Sequence, residues 1–319
     1  MPPIDPPRLD AIEAAAARLA GAILRTPLIR LDVDAPAEIY LKLENLQPIG
    51  SFKLRGAGNA MALLEDAQLS RGVFTASAGN MAQGVAWNAR RLGVPCQVVL
   101  PEHAPRAKLE AIERLGARAV PVPFDRWWQV MVTHRHADLE GRFIHPVCDR
   151  DVIAGNGTIG LEILEDLPDV DAVVVPFGGG GLSSGIATAI RSRKPATRVY
   201  ASEVATAAPL FASLAAGAPR DVEYSASFVD GIGGKSVLEP MWPLVRDLLA
   251  GSLVVTLEQV AAAIRVLAGR ARVVAEGAAA TSVAAALEGG AGVGKVVCVV
   301  SGGNIDAAVL AAILAGRTP

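Results

Sequence analysis

A lysine stands in the sequence where a strand pattern gives way to a helix pattern. Lys53 lies in the stretch 48–57, after the apolar run 39–43 and before a helical pattern that continues through Met61. Its neighbour is the aromatic Phe52, and no carboxylate lies within four residues on either side. Desolvation in such a setting lowers the pKa of an ammonium group, and a neutral lysine amine is a nucleophile suited to Schiff-base chemistry with aldehydes. Most lysines are solvated surface residues. A reactive role for Lys53 therefore depends on whether other motifs in the chain indicate a ligand site.

A run of four glycines is the strongest candidate for a phosphate site. Gly178, Gly179, Gly180 and Gly181 follow the apolar strand pattern at 172–176 and open a helix. Successive glycines expose backbone N–H groups and let a ligand approach closely, and the helix N-terminus adds a dipole that favours an anion. The run fits neither the dinucleotide pattern GxGxxG nor the P-loop. The expected phosphate is therefore not that of NAD or ATP, and the alternative is a flexible turn.

Two further turns carry polar side chains at the ends of predicted strands. The first consists of Ser77, Ala78, Gly79, Asn80 and Met81. Its N–H groups and the Ser77 hydroxyl could hold a carboxylate, with Asn80 facing a ring oxygen; alternatively, Ser77 or Asn80 is an ordinary helix N-cap. In the second turn, Ser301 could exchange a hydrogen bond with a buried heteroatom, or it caps the last helix.

Composition excludes several classes of function. The 319 residues are 51% apolar, and 30 basic side chains nearly balance 32 acidic ones without a basic run, so we expect no nucleic-acid partner and no anionic membrane surface. No signal sequence and no apolar stretch of membrane-spanning length is visible. The three cysteines are far apart and no HExxH occurs, which argues against a disulfide framework or a metal site. We expect a cytoplasmic protein with a small-molecule ligand.

Strand and helix patterns alternate along almost the whole chain. Strands are predicted at 38–43, 72–76, 96–100, 118–122, 172–176, 198–201, 252–256 and 295–300. Helices are predicted at 8–24, 53–64, 80–92, 105–115, 126–140, 157–166, 182–193, 257–270, 276–288 and 304–315, with a loop-rich stretch at 216–240. Apolar strands alternating with helices predict an α/β fold with two open, twisted, largely parallel sheets. The ligand is expected in a cleft at the carboxyl ends of the strands.

The order of lysine, Asn turn, tetraglycine and Ser turn resembles the fold-type II pyridoxal-phosphate enzymes, and within them the serine/threonine dehydratase, or threonine ammonia-lyase, group. The resemblance runs from Thr26 to Asn304 and includes the segments 152–158 and 276–278. It implies a fold like that of the tryptophan synthase β-subunit, with the cofactor in the interdomain cleft. The implied large cofactor domain is discontinuous, 1–62 and 147–319, and the small, mobile, substrate-side domain is 63–146.

The resemblance also implies a role for each matching residue. Lys53 would carry pyridoxal 5'-phosphate and later remove the substrate Cα proton. Asn80 would bond the pyridine hydroxyl oxygen and Ser301 would face the pyridine nitrogen, where a hydroxyl suits elimination better than transamination. The other cofactor-binding residues would be Phe52, Gly178, Gly179, Gly180, Gly181, Leu182 and Glu276. The substrate-binding residues would be Ser77, Ala78, Gly79 and Met81.

The implied reaction converts a β-hydroxy amino acid, with threonine or serine as the default, into a 2-oxo acid and ammonia. Open alternatives are dehydration of a bulkier or aromatic substrate, β-replacement, racemisation, and non-catalytic binding of the cofactor or an amino acid. A homodimer is expected because relatives of this group usually associate.

Several positions depart from the group's pattern. Ala78 stands where racemases carry a second base, so racemisation is not expected, and Met81 replaces a common histidine and makes the pocket more apolar. Some relatives bind a divalent cation with an acidic pair; here Glu203 is present but Pro209 replaces the second acid, so no metal is expected. The pair Trp127–Trp128 either packs in the core or walls the substrate pocket and selects a larger side chain.

Overall fold

The strands of this chain form two separate sheets. The computed structural model describes residues 2–104 and 106–319. The strands are β1 (Leu28–Arg30), β2 (Glu38–Lys42), β3 (Val73–Ala76), β4 (Cys96–Pro101), β5 (Arg118–Val122), β6 (Arg142–Phe143), β7 (Ala172–Pro176), β8 (Arg198–Val204), β9 (Gly251–Val255) and β10 (Lys295–Val299). One sheet has the order β1-β2-β10-β7-β8-β9 and the other the order β5-β4-β3-β6. Among these ten strands, every pairing is parallel except that of β1 with β2.

Helices cover both faces of the sheets. They are α1 (Leu9–Leu19), α2 (Lys53–Ala62), α3 (Asp66–Leu69), α4 (Asn80–Leu92), α5 (Arg106–Arg114), α6 (Phe124–Thr133), α7 (Arg150–Asp166), α8 (Gly181–Arg193), α9 (Pro209–Ala216), α10 (Trp242–Leu248), α11 (Leu257–Val266), α12 (Gly277–Leu287) and α13 (Ala307–Leu314). In the part of the chain that the structure describes, no helix combines the length and the apolar character needed to cross a membrane.

The core of the larger sheet follows from the apolar character of its central strands. All five residues of β7 are buried. Successive side chains of a strand point to opposite faces, so Val173 and Val175 join one apolar cluster while Ala172 and Val174 join another. A strand covered by helices on both faces requires this continuous apolar run, which is why β7 could be predicted from the sequence.

The structure corrects the limits of several predicted helices. The helix predicted at 126–140 ends at Thr133, because His134 adopts a left-handed backbone conformation with φ of 58°. The helix predicted at 157–166 begins at Arg150, where the Asp149 carboxylate accepts hydrogen bonds from the N–H groups of residues 151 and 152. The first helix ends at Leu19 rather than 24.

Other differences concern short elements and helix ends. The sequence patterns did not predict β1, β6, α3, α9 and α10. The helix predicted at 257–270 is α11 followed by a π-helical turn, Leu267–Ala271. The last helix begins at Ala307 instead of 304, because the Asp306 carboxylate caps it there. Residue 105, the first residue of the helix predicted at 105–115, lies outside the described residues.

The two sheets draw on different parts of the chain. Strands β3 to β6 all lie within 63–146, and every strand of the larger sheet lies within 1–62 or 147–319. We propose these ranges as the small domain and the discontinuous large domain.

Candidate active site

A cavity of about 350 Å³ lies between the two sheets, at the carboxyl ends of β3, β7 and β10. Every residue that the sequence predicted for the site lines it: Phe52, Lys53, Ser77, Ala78, Gly79, Asn80, Met81, Gly178, Gly179, Gly180, Gly181, Leu182, Glu276 and Ser301. These residues come together because the carboxyl ends of parallel strands open onto one crevice. The lining also includes Lys108 and Asp230, which the sequence did not indicate.

Lys53 is the first residue of α2, and its amine lies inside the cavity. Its Nζ donates a hydrogen bond to the Pro146 carbonyl at 3.2 Å and lies 5.0 Å from the centroid of the Phe52 ring. Burial lowers the pKa of Lys53 to about 8, and the negative charge of Glu276 acts in the opposite direction. At pH 7 roughly one in ten of these amines is therefore neutral, far more than at the ordinary pKa of 10.5, and the neutral amine is the form that attacks an aldehyde.

Glu276 and two asparagines form a hydrogen-bonded group at the cavity that contains Lys53. Asn80 Nδ2 lies 3.0 and 3.1 Å from the two carboxylate oxygens of Glu276, and Asn80 Oδ1 accepts a bond from Asn304 Nδ2 at 2.8 Å. Burial raises the pKa of Glu276 to about 7, and the charge of Asp230 adds to the effect. Glu276 can thus hold or release a proton near neutral pH.

The alternative of simple helix capping is wrong for both polar turns. Helix α4 begins after Gly79 without a side-chain cap, and the Ser77 hydroxyl instead accepts a bond from the Gly79 N–H at 3.2 Å. Ser301 does not cap α13, since Asp306 does so. The Ser301 carbonyl accepts a bond from the Phe52 N–H at 3.0 Å, which joins this turn to the lysine segment.

The glycine run forms a tight loop that leads into α8. Gly180 has φ of +91°, a backbone conformation that residues other than glycine rarely adopt. A Cβ on Gly179 would lie 2.7 Å from both methyl groups of Val147, so the loop is packed closely against the segment after β6. Within the described residues, the backbone N–H groups of 178–182 have no protein acceptor. A set of unpaired N–H groups at a helix N-terminus suits an anion.

The position of α2 depends on a buried network of charges. Arg55 is fully buried, and its guanidinium contacts both oxygens of Glu44 at 2.8 Å and those of Glu162 at 2.6 and 2.9 Å. These partners, together with the Thr158 hydroxyl at 3.0 Å, satisfy the charge inside the protein. Because Arg55 lies two residues after Lys53, the network fixes the helix that presents the amine.

Helix α4 approaches α2 closely on the cavity side. A Cβ on Gly84 would lie 2.9 Å from the Lys53 carbonyl oxygen, so glycine allows this contact between the two helices. The Asn turn and the lysine therefore lie at the starts of two neighbouring helices that are packed closely together.

The two tryptophans lie outside this cavity. Trp127 packs against the apolar cluster that contains Phe74 and Val130, and Trp128 is 47% exposed. Neither residue belongs to the cavity lining, so the alternative in which they wall the substrate pocket is wrong.

Glu203, the residue considered for a divalent cation, has protein partners instead. Its carboxylate oxygens accept bonds from the N–H groups of Leu210 and Phe211 at 2.9 and 2.8 Å and from the Ser252 hydroxyl at 2.6 Å. The carboxylate thus stabilises the start of α9, the helix that begins at Pro209.

Comparison with known proteins identifies the family. Residues 19–302 match the family model described as pyridoxal-phosphate dependent enzyme. The L-threonine ammonia-lyase of Thermotoga maritima is 43% identical over 305 residues, which cover 93% of this chain and 76% of that protein. The chain belongs to the pyridoxal-phosphate dependent enzyme family.

Solved structures confirm that this family member has the predicted fold-type II architecture. A threonine deaminase from T.th. superposes with a TM-score of 0.86 and 36% identity, covering 94% of this chain and 99% of that one. Maize serine racemase superposes with a TM-score of 0.90 and 31% identity, covering 98% of each chain.

The residues present fit pyridoxal phosphate, the cofactor of the family. The amine of Lys53 and the unpaired N–H groups of 178–182 line one cavity, and these are the groups that an aldehyde and a phosphate require. When bound, pyridoxal phosphate supplies the aldehyde and an electron sink for charge that develops at the substrate Cα.

Proposed function

We propose that this pyridoxal-phosphate dependent enzyme is an ammonia-lyase. It removes the β-hydroxyl and amino groups of a β-hydroxy amino acid, threonine or serine, and forms a 2-oxo acid and ammonia. The observation that carries the proposal is the buried Lys53 amine, with its pKa of about 8, in one cavity with the glycine loop and the Asn turn. The L-threonine ammonia-lyase of Thermotoga maritima, 43% identical, supports the reaction type.

Each group in the cavity has a separate role in this proposal. Lys53 binds the cofactor and takes the proton from the substrate Cα, since a partly neutral amine is a suitable general base. The N–H groups of 178–182 hold the phosphate, while Asn80 and Ser301 orient the ring. The turn at 77–81 binds the substrate carboxylate. Loss of the Cα proton and the β-hydroxyl removes one water and leaves an enamine. Once released, the enamine takes up water and gives up ammonia to form the 2-oxo acid.

The residues opposite Lys53 favour elimination over racemisation. Racemisation needs a second base on the other face of the substrate, and Ala78 in the turn beside Asn80 has no acidic or basic atom. Met81 is buried and adds an apolar surface to the same side of the cavity. Maize serine racemase is structurally similar, so the ratio of elimination to racemisation is worth measuring directly.

An amino-acid panel tests the proposed reaction. Incubation with L-threonine or L-serine should release ammonia and a 2-oxo acid, and Lys53→Ala should lower the rate at least roughly a hundredfold because it removes the general base. Lys194→Ala, distant from the cavity, is the matched control. Borohydride reduction followed by mass mapping should place the cofactor on Lys53. A cofactor found on another lysine, or no product from any β-hydroxy amino acid, would contradict the assignment.

We also propose that the enzyme is a cytoplasmic homodimer. Exposed apolar side chains that include Leu46 and Val274 offer a surface for association, and their segments are joined by the bond from Asn45 Nδ2 to the Val274 carbonyl at 3.1 Å. Sedimentation equilibrium of the cofactor-loaded protein measures the mass of the assembly, and a monomer at all concentrations would contradict the dimer.

A further inference from the structure

Two opposite charges meet across the opening of the candidate active site. Lys108 lies on α5, in the part of the chain that forms the four-stranded sheet, and Asp230 lies in the segment between α9 and α10. The Lys108 ammonium is 3.0 Å from a carboxylate oxygen of Asp230, and both residues line the cavity that contains Lys53.

This contact is distinctive among the ion pairs of the molecule. Of the ion pairs found among residues 2–104 and 106–319, it is the single one that joins residues 63–146 to the remainder of the chain. A second polar connection between these parts, from Asn80 to Glu276, lies on the same cavity. Two side-chain contacts that bring the two sheets together therefore lie at the site itself.

The exposure of the pair makes it easy to break. The side chains of Lys108 and Asp230 are 40% and 59% exposed. Exposed ion pairs shift an equilibrium by at most about fivefold, and dissolved salt screens them. The fully buried Arg55–Glu44 pair behaves differently, because breaking it would leave an uncompensated charge inside the protein.

An enzyme cleft needs contacts of the weaker kind at its opening. It has to admit a substrate, exclude water during the reaction and then release two products. A buried ion pair at the opening would hold the cleft shut, whereas an exposed pair can form and break in each turnover.

We propose that Lys108 and Asp230 are a positioning pair that closes the cleft over Lys53 and opens to exchange substrate and product. The proposal rests on the reaction proposed above. Neither residue reacts with the substrate; they act by holding the Asn turn in contact with Glu276 at one closed cavity. Lys108 and Asp230 also influence Glu276 in opposite directions, since Asp230 raises the pKa of Glu276 and Lys108 lowers it. Removing one partner therefore disturbs the charge of the site as well as its closure.

A charge-exchange experiment on the cofactor-loaded enzyme tests the pair. The variants are Lys108→Met, Asp230→Asn and the double exchange Lys108→Asp with Asp230→Lys. The matched control is Arg193→Met with Glu13→Gln, which removes an ion pair of 38% and 45% exposure away from the cavity. Two quantities are measured at low and high ionic strength: kcat/KM, and the rate at which borohydride reduces the yellow lysine-bound cofactor without substrate.

The single variants should lower kcat/KM by roughly 1.5- to 5-fold at low ionic strength, and should speed borohydride reduction by a similar factor. Both differences should disappear at high ionic strength, and the double exchange should restore both quantities. Three results would contradict the proposal that Lys108 and Asp230 close the cleft. They are equal effects in the Arg193/Glu13 control, unchanged reduction rates in the single variants, and failure of the double exchange to restore the wild-type values. Borohydride reduction needs no substrate, so it tests cleft closure separately from the reaction. If the enzyme shows no ammonia-lyase activity but the reduction rates change as expected, the proposed reaction is contradicted and closure by Lys108 and Asp230 is supported.

Discussion

The amine of Lys53 has an environment that changes its proton affinity. Burial lowers its pKa to about 8 from the ordinary value of 10.5. A lysine is reactive when neutral, so reactivity should rise with pH and reach half its maximum near pH 8 in cofactor-free protein. Competitive acetylation followed by mass mapping measures this midpoint, with the exposed Lys235 as an internal reference for the reagent. The negative charge of Glu276 raises the Lys53 pKa, so Glu276→Gln should move the midpoint lower.

One titration series on the wild type and Glu276→Gln can contradict this prediction in two ways. A midpoint near the ordinary value of 10.5 would show that desolvation does not act on Lys53, and a midpoint that rises in Glu276→Gln would show that the charge of Glu276 has the opposite effect. Either result would remove the electrostatic argument for Lys53 as the reactive amine, whatever the activity of the loaded enzyme.

Residues of the site differ in how well the sequence could predict them. Lys53, Asn80 and Ser301 stand in short contiguous patterns next to strands, which made them candidates. The order of these patterns along the chain, and the family that it resembles, then suggested their roles. Lys108 and Asp230 are 122 residues apart, and Arg55 pairs with Glu162 across 107 residues. Such contacts depend on tertiary structure, and one sequence gives no signal that a particular lysine and aspartate meet.

The glycine loop shows what one element contributes to the site. A Cβ on Gly180 would lie 2.7 Å from Val245 Cγ1 and 3.1 Å from the Phe177 ring, and φ at this residue is +91°. A Cβ on Gly178 would have no neighbour closer than 3.7 Å. Gly180→Ala should therefore lower the free energy of unfolding by about 2–4 kcal/mol through backbone strain and overpacking, and Gly178→Ala by less than about 0.5 kcal/mol.

Urea denaturation of the cofactor-free proteins measures both values. Leaving the cofactor out separates loop strain from loss of phosphate binding, which either substitution could also cause. Equal stability losses in the two variants would mean that the tight conformation of the loop does not depend on the residue at 180.

Elements with a continuous apolar pattern were predicted well, and elements defined by a single residue were not. Strand β7 has the predicted bounds, Ala172–Pro176, because burial on both faces imposes its composition. Helix α6 is shorter than predicted because the left-handed His134 ends it, and nothing in the residue type requires that conformation. Helix α7 is longer than predicted, since glycines in its first half weaken the helical pattern while tertiary packing against α2 and α8 retains it.

The order of strands in the two sheets belongs to the whole molecule. Strand β10, near the end of the chain, lies between β2 and β7, and the short β6 completes the smaller sheet beside β3. The sequence predicted two parallel sheets and a cleft, but the position of each strand within its sheet depends on long-range packing. Because β10 comes near the end of the chain and pairs with β2, the segments that contain Ser301 and Glu276 lie next to the lysine segment.

The two sheets should also differ in local stability. Strand β7 is central and completely buried, whereas β5 is an edge strand of the smaller sheet and exposes part of its length. Amides of buried central strands exchange with solvent through global unfolding, and those of edge strands through smaller openings. We therefore expect hydrogen exchange in β5 to be at least roughly tenfold faster than in β7 under native conditions. Cofactor loading should slow exchange in α2 and α4, since ligand binding stabilises the structure that binds it.

Hydrogen exchange followed by mass spectrometry tests this prediction at the level of the whole chain. The comparison uses loaded and cofactor-free protein at one pH, with α1, which lies away from the cavity, as the internal control. Equal protection of β5 and β7 would show that the two sheets open as one unit.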